Sequence, residues 1–262
     1  MDSIYDFGKA KQKNRKISMV TCYDFWSAKI IDASQIDCVL VGDSLAMVMH
    51  GFESTLHATT EMMALHASAV CRGTSKFVVV DMPFLSYRKG VAQAIDHVQT
   101  LMHSGAKAIK LEGVTGHEDV IQHIVHSGVP VMGHIGLTPQ SIHQIGGFRV
   151  QGKNEESAKI LLQEAQTLEE LGCFAIVLEC VPSHVADEIT KKLQIPTIGI
   201  GAGIETDGQV LVLQDLLGMD DQFRPKFLKH YLAGKTHLSS ALNQFDTEVK
   251  ERIFPSKKES YS

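Results

Sequence analysis

Nearly every apolar run in this chain ends in side chains that can bind a cation, move a proton or hold an anion. They are Tyr23 and Asp24, Asp43 and Ser44, Asp81, Lys110 and Glu112, His134, Glu179, and Asp215. Four carboxylates, Asp43, Asp81, Glu112 and Glu179, would repel strongly if brought together without compensation, so a cation is implied. Oxygen donors with no thiolate or histidine cluster favour Mg2+ or Mn2+ over zinc. Lys110, two residues before Glu112, points to the same side of an extended strand and adds a fixed positive charge. This set suits a substrate with its own carboxylate and a reaction that develops an enolate. A single strand-end Asp has a plainer reading as the cap of the following helix. The convergence of many such ends on one mouth favours a site.

The elements that must position these groups follow from the hydrophobic pattern. Runs rich in Val, Ile and Leu occur at 17–24, 38–44, 76–84, 108–113, 129–136, 174–181, 195–203 and 209–218. They are continuous rather than alternating, as strands buried on both faces of a parallel sheet are. Amphipathic stretches at 26–34, 60–73, 90–105, 118–128, 156–172 and 183–193 read as helices between them. Several end at glycine (Gly73, Gly105, Gly128, Gly172), where a left-handed helix stop is expected. Eight strand runs alternating with helices in 262 residues predict an α/β fold, a (β/α)8 TIM barrel in a single domain over 1–250. Residues 251–262 read as a C-terminal tail. No GxGxxG opens a helix after the first strand, so the dinucleotide-binding fingerprint is missing. GIGAG (199–203) admits two readings, a cradle for an anionic group or a tight strand end.

Composition narrows the class further. Hydrophobic residues make up 44% and charged residues 21%, as in an ordinary globular chain. The net charge of −5 leaves no basic footprint, so nucleic acid is not an expected partner. No run approaches the length of a membrane span, and the charged start lacks a following apolar segment, so no membrane association, no signal peptide and a cytoplasmic location are expected. Five cysteines without a CxxC pair read as reduced, mostly buried thiols. His117, His123 and His126 share a helical pattern and read as a solvated face.

Seven blocks, in order, carry a resemblance: MVTCYD, LVGDSLAMVMHG, VVVDMPFLSY, AIKLEG, GHIGLTPQSIHQIGGFRVQGK, VLECVP and IPTIGIGAG. From about residue 3 to 250 the chain resembles the ketopantoate hydroxymethyltransferase family, which opens pantothenate synthesis. GHIGLTPQ followed by GGFRVQGK is specific to that family; VGDS or GIGAG alone would be weak. The resemblance implies one Mg2+ per subunit, 5,10-methylenetetrahydrofolate as one-carbon donor, 3-methyl-2-oxobutanoate as acceptor, and a homodecamer of two pentameric rings. Carried over by position, Asp43 and Asp81 resemble the metal ligands and Glu112 a third acidic residue at the metal. Asp43, Ser44, Asp81 and Lys110 match the ketoacid-binding groups, and Glu179 the proton acceptor. His134 lies near the reacting centre in the family; here it reads either as a catalytic or as a structural histidine. Arg149 and Lys153 read either as partners of the folate carboxylates or as part of a solvated loop. The chain departs from the family at STLHATT, with His57 where proline is common.

The mechanism these charges predict begins with chelation of the ketoacid by a metal on Asp43 and Asp81. Glu179, the carboxylate least needed as a ligand, removes the C3 proton, and the resulting enolate attacks the folate's methylene carbon. A rival is another Mg2+-dependent ketoacid barrel, of the phosphoenolpyruvate mutase or isocitrate lyase type. Those enzymes carry a cysteine in a KxCG-like loop, which this chain lacks. A second rival, a catalytically dead barrel kept for assembly, leaves the cluster of like charges without a purpose.

Overall fold

The computed structural model describes residues 1–261. Eight strands, β1 (Ile17–Thr21), β2 (Cys38–Val41), β3 (Phe77–Asp81), β4 (Ala108–Glu112), β5 (Val131–Gly136), β6 (Ala175–Glu179), β7 (Thr197–Ile200) and β8 (Gly208–Leu211), close into a barrel in chain order. Every neighbouring pair is parallel, and β8 returns to β1 through Ile17↔Gly208. Burial explains the continuous apolar runs: all five residues of FVVVD in β3 and of AIKLE in β4 are buried. Because the strands are parallel, their C-terminal residues gather at one mouth.

The other end of the barrel is filled by a helix that the hydrophobic pattern did not reveal, Ile4–Gln12. Its Phe7 meets Phe77 and Phe174 edge-on, with ring centroids 5.3 and 5.1 Å away. These rings join Ile17, Met19, Cys38 and Ala175 in one buried cluster beneath the strands. Aromatic pairs in this geometry contribute about 0.5–1.5 kcal/mol each beyond the area they bury.

The predicted helices are present: Phe25–Asp32, Thr60–Gly73, Val91–His103, Glu118–His126, Glu155–Glu170 and Ser183–Lys192. Gly105, Gly128 and Gly172 take positive φ just past helix ends, as expected. Gly73 does not. It ends its helix in ordinary geometry, and a Cβ there would lie 2.6 Å from Ala28 Cβ, so close helix packing is what requires glycine.

The chain separates into two compact units, Met1–Val212 and a second starting at Leu213. The first holds the whole barrel. The second holds a short helix, Leu213–Leu216, and a long one, Gly234–Lys250, at whose end the expected tail begins. The run at 209–218 is therefore no single strand: β8 stops at Leu211 and a helical turn follows. Asp215 lies in that turn and is not a strand-end residue of the barrel.

Among the described residues all five cysteines are free, with Cys22, Cys38 and Cys173 buried. No helix among them is long and apolar enough to cross a membrane. The reading of His117 as solvated is corrected. It caps the helix Glu118–His126 at 1% exposure, its ring 5.2 Å from that of Tyr87, and burial pushes its pKa down to about 4.

Candidate active site

Asp43 and Ser44 leave β2 just as a helical turn, Leu45–Val48, begins. Asp81 closes β3, Lys110 and Glu112 share β4, His134 sits on β5 and Glu179 closes β6. The parallel register sets Asp81 beside Lys110 and Glu112 beside His134. The mouth thus brings the predicted residues together. Asp43, Asp81, Lys110, Glu112 and His134 are each at most 4% exposed, whereas the Glu179 side chain keeps 18% of its surface.

The groups form a chain of charges. Lys110 Nζ lies 2.9 Å from Asp81 Oδ1 and 3.3 Å from His134 Nδ1. His134 in turn sits between two carboxylates, with Nδ1 3.5 Å from Glu112 Oε1 and Nε2 3.2 Å from Glu179 Oε2. Burial and Lys110 oppose a charge on His134, but its bonds to Glu112 and Glu179 prevail and lift its pKa to about 9. Burial likewise opposes the charge on Lys110, yet Asp81, Glu112 and Asp43 hold the ammonium well above its ordinary range. Ser44 Oγ is 2.8 Å from the Tyr23 hydroxyl, and a Cβ on Gly42 would crowd it at 2.9 Å.

Four carboxylates therefore face two cationic groups, Lys110 and His134, and the surplus is two negative charges. Burial, then Asp81 and Glu112, push the Asp43 carboxyl well above the usual range. Burial also raises Asp81, against the pull of Lys110. Each carboxylate has one oxygen that accepts a hydrogen bond from a neighbouring loop or strand end. Asp43 Oδ2 accepts from Gln140 Nε2 at 2.9 Å, and Asp81 Oδ2 accepts from the Asp43 amide at 3.1 Å. Asp81 Oδ1 is buried and faces the Lys110 ammonium at 2.9 Å. Two buried carboxylates side by side, in a cluster with more acidic than basic groups, fit a hard divalent cation. Among the described residues no three His, Cys, Asp or Glu side chains are placed to ligate one ion together. Asp43 and Asp81, joined through the Asp43 amide, are the pair that would hold a cation. Glu112, the third acidic residue expected at the metal, has one oxygen held in the same way, its Oε2 accepting from the Gln140 amide at 3.0 Å.

A pH dependence follows. In the metal-free protein Asp43 and Asp81 bind protons more tightly folded than unfolded, where their value is near 3.8. Their contribution to stability is present below that value and is lost as pH rises through the folded-state pKa. A cation replaces the proton, so its stabilising effect grows with pH. The rise in Tm on adding Mg2+ should grow as pH is raised from just above 3.8, read by scanning fluorimetry over a pH series; a rise that does not change with pH anywhere in the series would contradict the exchange of proton for cation.

Other predicted residues have plainer places. Asp24 caps the helix Phe25–Asp32, accepting from the Ser27 amide and hydroxyl at 2.8 Å each. Arg149 and Lys153 are exposed. His57, also exposed, stacks on Phe52 with centroids 4.6 Å apart. Two residues at the centre of the network escaped the sequence reading, Gln140 and Tyr87. Both lie within quoted motifs, GLTPQ and FLSY, and a polar side chain inside such a block was the available signal.

Comparison with known proteins identifies the family. The ketopantoate hydroxymethyltransferase family model matches residues 2–257. A 3-methyl-2-oxobutanoate hydroxymethyltransferase of Bdellovibrio bacteriovorus is 56% identical, with all of both chains covered. Its namesake in Coxiella burnetii is 58% identical over 95% of each chain, and that of Francisella tularensis subsp. novicida is 55% identical over 100% and 99%. Among solved structures, phosphonopyruvate hydrolase with oxalate and Mg2+ superposes with a TM-score of 0.65 at 11% identity, covering 99% of this chain and 93% of its own. 2,3-Dimethylmalate lyase, of the phosphoenolpyruvate mutase/isocitrate lyase superfamily, gives a TM-score of 0.60 at 15% identity, covering 100% and 89%. At such identities these two structures share the barrel alone. The chain belongs to the ketopantoate hydroxymethyltransferase family and is an enzyme of that kind, one that moves a hydroxymethyl group onto 3-methyl-2-oxobutanoate.

Proposed function

We propose that the mouth binds 3-methyl-2-oxobutanoate beside one Mg2+ on Asp43 and Asp81 and takes its one-carbon unit from 5,10-methylenetetrahydrofolate. The product is then 2-dehydropantoate, made in the cytoplasm for pantothenate biosynthesis. The observation that carries this reading is the gathering of four carboxylates against two cationic groups at the mouth, with Asp43 and Asp81 buried side by side. When bound, the ion supplies Lewis-acid polarisation of the keto group, which makes C3 acidic.

The protein's own residues do the rest. Lys110, held charged by Asp81 and Glu112, offers its ammonium to the ketoacid carboxylate, with the Ser44 hydroxyl as a second donor. Glu179 is the one carboxylate of the four with appreciable solvent exposure and is not placed with the cation-binding pair. It takes the proton from C3 and can pass it to solvent. His134, between Glu112 and Glu179, fixes the Glu179 carboxylate and offsets its charge. The enolate carbon forms the new C–C bond to the one-carbon unit, and both C–N bonds from that carbon to the folate break. Water supplies the hydroxyl oxygen, and tetrahydrofolate leaves with its two nitrogens protonated. Turnover of 3-methyl-2-oxobutanoate that requires both folate and a divalent ion tests the reading; turnover without folate would favour a lyase or mutase instead.

We also infer a homo-oligomer, a decamer in keeping with the family resemblance. Its support is the long helix Gly234–Lys250, where Gly234 alone is buried while Leu238, Leu242, Phe245 and Val249 expose an apolar stripe at helical spacing. Light scattering should give about ten times the chain mass, and Leu242→Glu should lower it. A monomer in the wild type would contradict the inference.

A further inference from the structure

We propose that Gln140 is a positioning residue that sets the orientation of the Asp43 carboxylate and so controls how tightly the site holds a divalent cation. The inference rests on the reading of Asp43 as a cation ligand. Gln140 lies in the turn Pro139–Ser141 after β5 and is 5% exposed. Both of its side-chain N–H groups are used: Nε2 donates to Asp43 Oδ2 and to the Met82 carbonyl, each at 2.9 Å. Its Oε1 accepts from the Tyr87 hydroxyl at 2.9 Å, and its backbone amide donates to Glu112 Oε2 at 3.0 Å. Tyr87 is itself fixed, its oxygen accepting from the Glu112 amide at 3.2 Å.

The direction of the amide is therefore determined by its surroundings. Turned over, Oε1 would face a carboxylate and a carbonyl, two acceptors with no proton between them, and Nε2 would face the Tyr87 hydroxyl. One residue from the β5 loop thus ties the end of β2 to the ends of β3 and β4. Holding Asp43 Oδ2 fixes the rotation of that carboxylate and so the place of Oδ1. At Asp81 likewise Oδ2 takes the hydrogen bond, from the Asp43 amide, while Oδ1 faces Lys110. Outer groups of this kind fix ligand orientation, and their loss weakens metal binding by roughly 10–100-fold.

The test is Mn2+ titration of the full chain followed by electron paramagnetic resonance, with Gln140→Met removing both donors at similar length. Its Mn2+ dissociation constant should rise by roughly 10–100-fold. Exchange of the ketoacid C3 proton should return towards the wild-type rate at saturating Mn2+, a recovery that general structural damage would not give. Tyr87→Phe, which removes only the hydroxyl that orients the amide, should weaken Mn2+ in the same direction by less, and keeps the test open if Gln140→Met does not fold. Wild-type affinity in a folded Gln140→Met, or in Tyr87→Phe where that is the folded variant, would overturn the inference alone. Failure of the wild type to bind Mn2+ would overturn the cation reading and the inference with it.

Discussion

Glu179→Gln should slow exchange of the C3 proton of 3-methyl-2-oxobutanoate with deuterated solvent by roughly 10²–10⁴-fold, the usual contribution of a general base. The ketoacid and the metal should still bind. The expectation comes from position. Glu179 closes β6 at 18% side-chain exposure, while Asp43, Asp81 and Glu112 are at most 4% exposed and committed to one another, to Lys110 or to Gln140. Glutamine keeps the shape and a contact with His134 but cannot accept the proton. Proton NMR in deuterated water reads the exchange directly, without folate. An undiminished rate in a variant that binds ketoacid normally would remove Glu179 from the role.

Asp81→Ala should lose the metal and much of the stability with it. Asp81 is buried, is one of the two proposed cation ligands, and is the partner of buried Lys110 at 2.9 Å. Removing one member of a buried pair costs on the order of 3–5 kcal/mol, because an uncompensated charge is left behind. Asp81→Asn separates the two effects. It retains an oxygen for the Asp43 amide and a polar neighbour for Lys110, so it should fold better than Asp81→Ala. Its Mg2+ affinity should nevertheless fall by more than the roughly 10–100-fold that loss of an outer hydrogen-bond partner costs. An unchanged Mg2+ titration in Asp81→Asn would overturn the ligand assignment.

The barrel was legible because strands buried on both faces must be continuously apolar, and β3 and β4 show it plainly. The site was legible for a related reason. A polar residue at the end of such a run has nowhere to point except the mouth, and Asp81, Lys110, Glu112 and His134 all do so. What stayed hidden lies where periodicity says little. The segment 209–218 reads as one apolar run whether it is a strand or a strand followed by a helical turn, and only pairing with β1 shows that it stops at Leu211. His117 fits a helical stripe with His123 and His126, yet it sits at the cap, where the chain has not begun to wind. Asp24 took the ordinary role of a helix cap, although by type it was as good a candidate as Asp43. Gln140 is neutral and lies in a loop. Its importance comes from four hydrogen bonds to groups distant in sequence, a property that no spacing along the chain records.

The central claim is that these carboxylates and a divalent cation make C3 of the ketoacid acidic. It is tested most directly by incubating the purified protein with 3-methyl-2-oxobutanoate in deuterated water, with Mg2+ and then with excess chelator. Rapid loss of the C3 proton signal with Mg2+, abolished by the chelator and restored by added Mg2+, is the predicted result. Exchange that continues at the same rate in chelator, or none with Mg2+ present, would contradict it.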